Sequence, residues 1–171
     1  SLILAHFANT SQAKDHVKWS IFADQLAEML WPGPLTLVLE RKSESTLSRL
    51  LSAGLPSVGI RVPSNPIARQ LLVNLDRPIA APSANLSGKI SPTHPEHVNK
   101  NLFGRINGIV DGGACQLGVE STIIDLTGAP TLLRPGGVPL DLIEEIISTK
   151  IAVANGSNEI KAPGQLQSHY A

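Results

Sequence analysis

Pro78-Ile79-Ala80-Ala81-Pro82-Ser83-Ala84-Asn85-Leu86-Ser87-Gly88 is an apolar run that breaks at a proline into small hydroxyl and amide side chains and ends on glycine. It reads as the end of a buried strand opening into a polar loop, the place where open α/β sheets hold ligands. Small side chains let a ligand approach the backbone. Ser83, Asn85 and Ser87 offer hydroxyl and amide groups to a phosphate, a ribose or a carboxylate. The same residues would also make an ordinary capped turn.

On both sides of this stretch, strand and helix patterns alternate. Leu2 to Phe7 is an apolar strand. Ser11 to Leu30 reads as helix in two pieces, with Ser20 as a cap and Ile21, Phe22, Leu26, Met29 and Leu30 as the apolar stripe. Trp31-Pro32-Gly33-Pro34 ends it, because two prolines and a glycine cannot continue a helix. Leu35 to Leu39 is a strand, Ser45 to Ser52 a helix, and Val58 to Val62 a strand stopped by Pro63. Pro66 suits the first turn of a helix over Asn65 to Asn74, with Ile67, Leu71 and Leu72 inward. Pro95 to Leu102 is a short helix capped by Thr93. Strands follow at Gly108 to Val110, Ser121 to Leu126 and Thr131 to Leu133, then an amphipathic helix at Leu140 to Ile147 and a last strand at Ile151 to Ala154. Several connections are too short for helical crossovers, so the sheet is expected to be mixed.

Composition narrows the class. The 171 residues suit one domain, and 42% hydrophobic content suffices for a core. Fourteen basic residues balance fourteen acidic ones, so no overall field draws the chain to nucleic acid or a membrane. Two Trp, one Tyr and three Phe are too few for a base-stacking platform. The lone Cys115 fits a reducing compartment and reads as a small core or loop residue. No apolar run approaches the roughly 20 residues of a membrane span. A cytoplasmic, membrane-free domain is the expectation.

The polar groups that could do chemistry fall at strand ends. Arg61 closes Gly59-Ile60-Arg61-Val62-Pro63 and must either face water or be paired, since an isolated buried charge is costly. Its planar fork suits a carboxylate or a phosphate. Glu120-Ser121-Thr122 enters a strand after a glycine-containing turn, and spacing alone favours a cross-strand pair or a solvated hydroxyl there. Arg134-Pro135-Gly136-Gly137 sets a cation beside flexible backbone, as a phosphate contact or a surface turn would require. His6 lies inside the first strand, where a histidine meets either a ligand or a backbone partner. His94 and His97 lack a third ligand at suitable spacing, so no zinc site is read. No GxSxG elbow, P-loop or GxGxxG is present.

Together, WPGPLTLVL at 31–39, SVGIRVP at 57–63, PIAAPSANLSGKISPT at 78–93, LGVESTIIDLTG at 117–128 and LLRPGG at 132–137 resemble the YrdC-like domain of threonylcarbamoyl-AMP synthases, in order and near-family spacing. The resemblance implies an α/β fold, an open twisted mixed sheet flanked by helices with a large concave ligand cavity. It implies a catalytic domain over 1–154, and an interdomain linker over 155–171 similar to the one in the family's long form. The implied reaction condenses L-threonine, bicarbonate and ATP, with Mg²⁺, into threonylcarbamoyl-adenylate and pyrophosphate. A separate tRNA threonylcarbamoyl transferase would then use the product. By position, His6, Arg61, Ala81 and Ser121 would line the threonine site. Ser57, Ser83, Asn85, Ser91, Arg134 and Tyr170 would face ATP, Asn85 completing the Ser-x-Asn element. No side chain is implied as a covalent nucleophile, and no protein side chain as a metal ligand.

The family's threonine-binding Thr and its phosphate-gripping Lys-x-Arg would precede Ser1, so the resemblance also implies a fragment of impaired activity. Two other readings remain: a double-stranded-RNA-binding module, and a carbamoyl-transfer domain of the hydrogenase-maturation type.

Overall fold

The computed structural model describes residues 3–86 and 88–154. Among them is one seven-stranded mixed sheet in the order β4-β1-β3-β2-β5-β6-β7, where β1 is Leu4–His6, β2 Leu35–Glu40, β3 Ser57–Arg61, β4 Ile79–Ala81, β5 Thr122–Asp125, β6 Thr131–Arg134 and β7 Ala152–Val153. The pairs β1/β3, β2/β5 and β6/β7 are parallel and the remaining neighbours antiparallel. Five helices accompany it among the described residues: α1 Thr10–Lys14, α2 Ile21–Leu30, α3 Pro66–Leu75, α4 Pro95–Leu102 and α5 Leu140–Ile147. No described helix is long and apolar enough to cross a membrane.

Strand alternation gives the sheet two unlike faces. Leu37 pairs with both Ile60 and Ile124, so these three side chains share a face. That face carries the main core, in which Leu35, Leu37, Leu39, Val58, Ile60 and Ile124 join Leu26 of α2 and Ile143 and Ile147 of α5. Fully burying one such side chain contributes about 1.5–3 kcal/mol. Val38 pairs with Gly59 and Asp125, on the other face. There the apolar patch is small: Val38 and Ile123, with Leu133 against them. His6, Thr36 and Arg61 lie on that face too, with Leu4 and Ala81 beside them, and it carries the candidate site.

Local signals set most helix limits. Ser20 accepts from Ala23 N at 3.2 Å to start α2, and Asn65 accepts from Ile67 N and Ala68 N, each at 3.0 Å, ahead of Pro66 in α3. Four expectations are corrected. Ser45 to Ser52 forms only a 3₁₀ turn at Arg49–Ser52, because Ser45 Oγ and the Arg41 guanidinium bind the backbone of 45–47 in place of helical bonds. Gly108 to Val110 is not a strand but an exposed stretch with no pairing partner among the described residues. His94, not Thr93, occupies the cap position of α4 and makes no side-chain cap bond, the Thr93 hydroxyl being engaged with the His94 ring. Finally, Ile67 and Leu71 of α3 and Ile21 and Met29 of α2 are exposed. Each helix docks through a narrower stripe than its pattern suggests, α3 through Leu72 alone. Cys115 is exposed in a loop.

Candidate functional site

The predicted threonine-side residues His6 and Arg61 end adjacent parallel strands and are register partners. The Phe7 amide donates to the Arg61 carbonyl at 2.9 Å, which ties the two strand ends together. Arg61 Nε donates to the Gly33 carbonyl at 2.9 Å. No carboxylate among the described residues forms an ion pair with Arg61. Burial, and then the positive charge of Arg134, hold the Arg61 guanidinium below its ordinary pKa. Two arginines that repel each other, one with no acid beside it, form a site prepared for an anion.

Arg134 arrives by a change of register. Ile123 pairs with Arg134, yet Ile124 pairs with Leu132, so Leu133 is an extra residue in β6. Such a bulge re-aims neighbouring side chains. Here Leu133 packs on Val38 and Ile123, while Arg134 Nε and Nη2 donate to the Ser121 carbonyl at 3.1 and 2.8 Å and Nη2 also to its hydroxyl at 3.1 Å. The Ser121 hydroxyl is bonded to Thr36 Oγ1 at 2.7 Å. Far from being solvated, Ser121 is buried and locked between Thr36 and Arg134. Arg134 Nη1 pairs with Glu120, whose other oxygen accepts from Ser91 Oγ at 2.5 Å. Ser91, Glu120, Arg134, Ser121 and Thr36 therefore form one hydrogen-bonded network, and Arg61, next to His6, feels the charge of Arg134.

Close backbone approach makes this possible. A Cβ on Gly59 would lie 2.7 Å from Leu4 Cδ2, and one on Gly136 would lie 2.5 Å from both Ser121 C and Thr122 N. The turn after Arg134 is thus pressed against the backbone of Glu120 to Thr122 that leads into β5, with Gly137 N donating to the Glu120 carbonyl at 2.9 Å.

The other predicted residues lie farther along the same face or beyond it. Ala81 pairs with Leu4, two positions from His6. Ser57 is buried at the opposite end of β3, four residues or about 13 Å from Arg61. Strand alternation directs it to the Arg61 face. Ser83 and Asn85 occupy the loop after β4. The Asn85 amide braces that loop, donating to the Leu86 and Lys89 carbonyls at 3.1 and 2.6 Å, while its Oδ1 is buried without a partner among the described residues. Ser87 and Tyr170 lie outside the described residues. A surface cavity of about 470 Å³ lies elsewhere, around Phe103, Ile106 and Ile109, and no charged side chain lines it.

Gly33, Thr36 and Glu120 were not chosen as site residues from the sequence. The signal was available in WPGPLT and in Glu120-Ser121-Thr122, but only strand register shows that these segments meet. Among the described residues, no group of three or more His, Cys, Asp and Glu is placed to hold a metal ion.

His6 gives a pH prediction. Its pKa is held below the ordinary histidine value by burial and then by the Arg61 charge, against the opposing pull of the Ile79 and Leu4 backbone. Its Nδ1 is buried with no hydrogen-bond partner among the described residues. As pH falls through about 6.5 the unfolded histidine takes a proton that the folded one resists. Stability should therefore fall between about pH 7.5 and 5.5, His16 adding a change of the same sign because burial also lowers its pKa. Chemical denaturation at the two pH values checks this, with a smaller difference expected in His6→Gln. An equal difference in both proteins contradicts the assignment.

Known proteins resemble this chain in sequence and fold. A family profile named for Sua5, YciO and YrdC and described as "Telomere recombination" matches residues 2–136. A threonylcarbamoyl-AMP synthase of Pyrococcus abyssi is 49% identical over 87% of this chain and 45% of its own length. One of Bacillus subtilis is 45% identical over 99% of this chain and 50% of its own. A crystal structure of P. abyssi Sua5 complexed with L-threonine superposes with a TM-score of 0.88 at 44% identity, covering 95% of this chain and 48% of that one. The chain spans about half the length of the curated relatives it matches.

Proposed function

This chain belongs to the Sua5/YciO/YrdC family, and from that premise we propose that it carries the substrate-gripping face of a threonylcarbamoyl-AMP synthase. The observation that carries the reading is the pair Arg61 and Arg134, two mutually repelling guanidiniums on one sheet face at the ends of β3 and β6, with β2 and β5 between those strands. Arg61 takes the carboxylate of L-threonine. Arg134 and Ser91 take ATP phosphates, with Ser57, Ser83 and Asn85 along the path of the nucleotide. His6, Ala81 and Ser121 line the threonine side.

The chemistry needs placement more than a reactive side chain. The threonine amine attacks the bicarbonate carbon and water leaves, giving a carbamate. A carbamate oxygen then attacks the α-phosphorus of ATP, and pyrophosphate departs. Holding the reactants in line removes the entropic part of the barrier, and fixed cations stabilise charge as it builds on the phosphates. Mg²⁺ arrives with ATP as part of the substrate. A neutral His6 beside Arg61 leaves the cation free for the carboxylate. A separate transferase would pass the product to tRNA, and a cytoplasmic location suits that role.

Calorimetric titration of the chain with L-threonine and with L-threoninol, which lacks the carboxylate, tests the assignment. Saturable binding is expected for threonine and not for threoninol. Equal binding of threoninol would remove Arg61 from its role.

A further inference from the structure

Glu120 is the carboxylate that touches the cationic group, and its two oxygens are divided between Arg134 Nη1 and the Ser91 hydroxyl. The opposite edge of Arg134 is committed, because Nε and Nη2 are held by the Ser121 carbonyl and hydroxyl. Nη1 is therefore the prong that faces a ligand, and Glu120 sits on it. One oxygen on a guanidinium and another on a serine hydroxyl is the acceptor pattern of a bound phosphate. Exposure differs across the pair: the Glu120 side chain is 40% exposed and that of Arg134 16%. The carboxylate has water to swing into, whereas the guanidinium is fixed.

We propose that Glu120 is an internal anion that occupies the phosphate position in the ligand-free protein and is displaced when a polyphosphate binds. The proposal rests on the reading of Ser91 and Arg134 as nucleotide contacts. Glu120 keeps both groups aligned while the site is empty and spares Arg61 and Arg134 some of their repulsion. It also sets a threshold. A singly charged anion merely replaces one negative charge by another, whereas a polyphosphate brings further negative charge to Arg134. Glu120 is thus a specificity-determining residue that rejects small anions.

The test uses inorganic pyrophosphate as the probe, titrated calorimetrically into the unaltered chain and into Glu120→Gln. Glutamine keeps the length and the acceptor for Ser91 but not the charge. Removing a partly exposed competing ion pair should tighten pyrophosphate binding about threefold to fivefold. L-Threonine affinity should stay within about twofold, since its contacts are separate. Glu120→Asp, which retains charge but has less reach to Ser91, should fall between the two and covers the case in which the glutamine variant folds poorly. Unchanged or weaker pyrophosphate binding in both variants overturns the proposal, as does absence of pyrophosphate binding in all three proteins. Tighter pyrophosphate binding without any threonine binding would leave the displaceable anion standing and remove the synthase reading.

Discussion

Arg61→Ala is expected to weaken L-threonine binding about 100-fold, toward the lower end of the range for losing one partner of a buried charge pair. ATP binding should change by no more than about threefold, because Arg134 and Ser91 hold the phosphates independently of it. The variant should be no less stable than the parent. Arg61 is desolvated and repelled by Arg134, and the bond it makes among the described residues goes to the Gly33 carbonyl. Removing a strained cation relieves the fold while disabling the site, a trade-off common at binding sites. Calorimetry with each ligand and a thermal melt separate these effects. Equal weakening for both ligands, or a large loss of stability, would contradict the role assigned to Arg61.

Gly136→Ala should produce the largest change in stability. The added methyl would overlap the Glu120 carbonyl and lie 2.5 Å from Ser121 C and Thr122 N, all backbone atoms that cannot turn aside. Overpacking a rigid neighbour costs about 3 kcal/mol, or about 6–12 °C in melting temperature for a chain of this size. The strain falls between Arg134 and the segment holding Ser121, so anion binding should weaken as well. Gly128 is the control, since a Cβ there meets nothing within 4 Å. If Gly136→Ala melts like Gly128→Ala, the turn is looser than described.

Much of this arrangement was legible in the sequence because local signals and burial agree. Ser20, Asn65 and Pro66 marked helix starts, and α5 spans Leu140–Ile147 as its pattern indicates. Arg61 and Arg134 stood out as cations closing apolar strands. What could not be read was register. The extra residue Leu133 brings Arg134 to the face of Ser121, and no property of Thr131 to Arg134 taken alone announces a bulge. Thr36 lay in an apolar strand and became a site residue only when β2 paired with β5. Apolar periodicity misled at Ile67 and Leu71, where α3 buries one leucine. Gly108 to Val110 failed for a different reason: strand-forming residues make a strand only where a neighbour offers a ladder.

The most direct measurement is a structure of the chain with L-threonine bound. The account predicts the threonine carboxylate on the Arg61 guanidinium, at about 2.8 Å, on the sheet face shared by Gly59 and Ser121. Threonine held elsewhere, with Arg61 still engaged only by the Gly33 carbonyl, would contradict it.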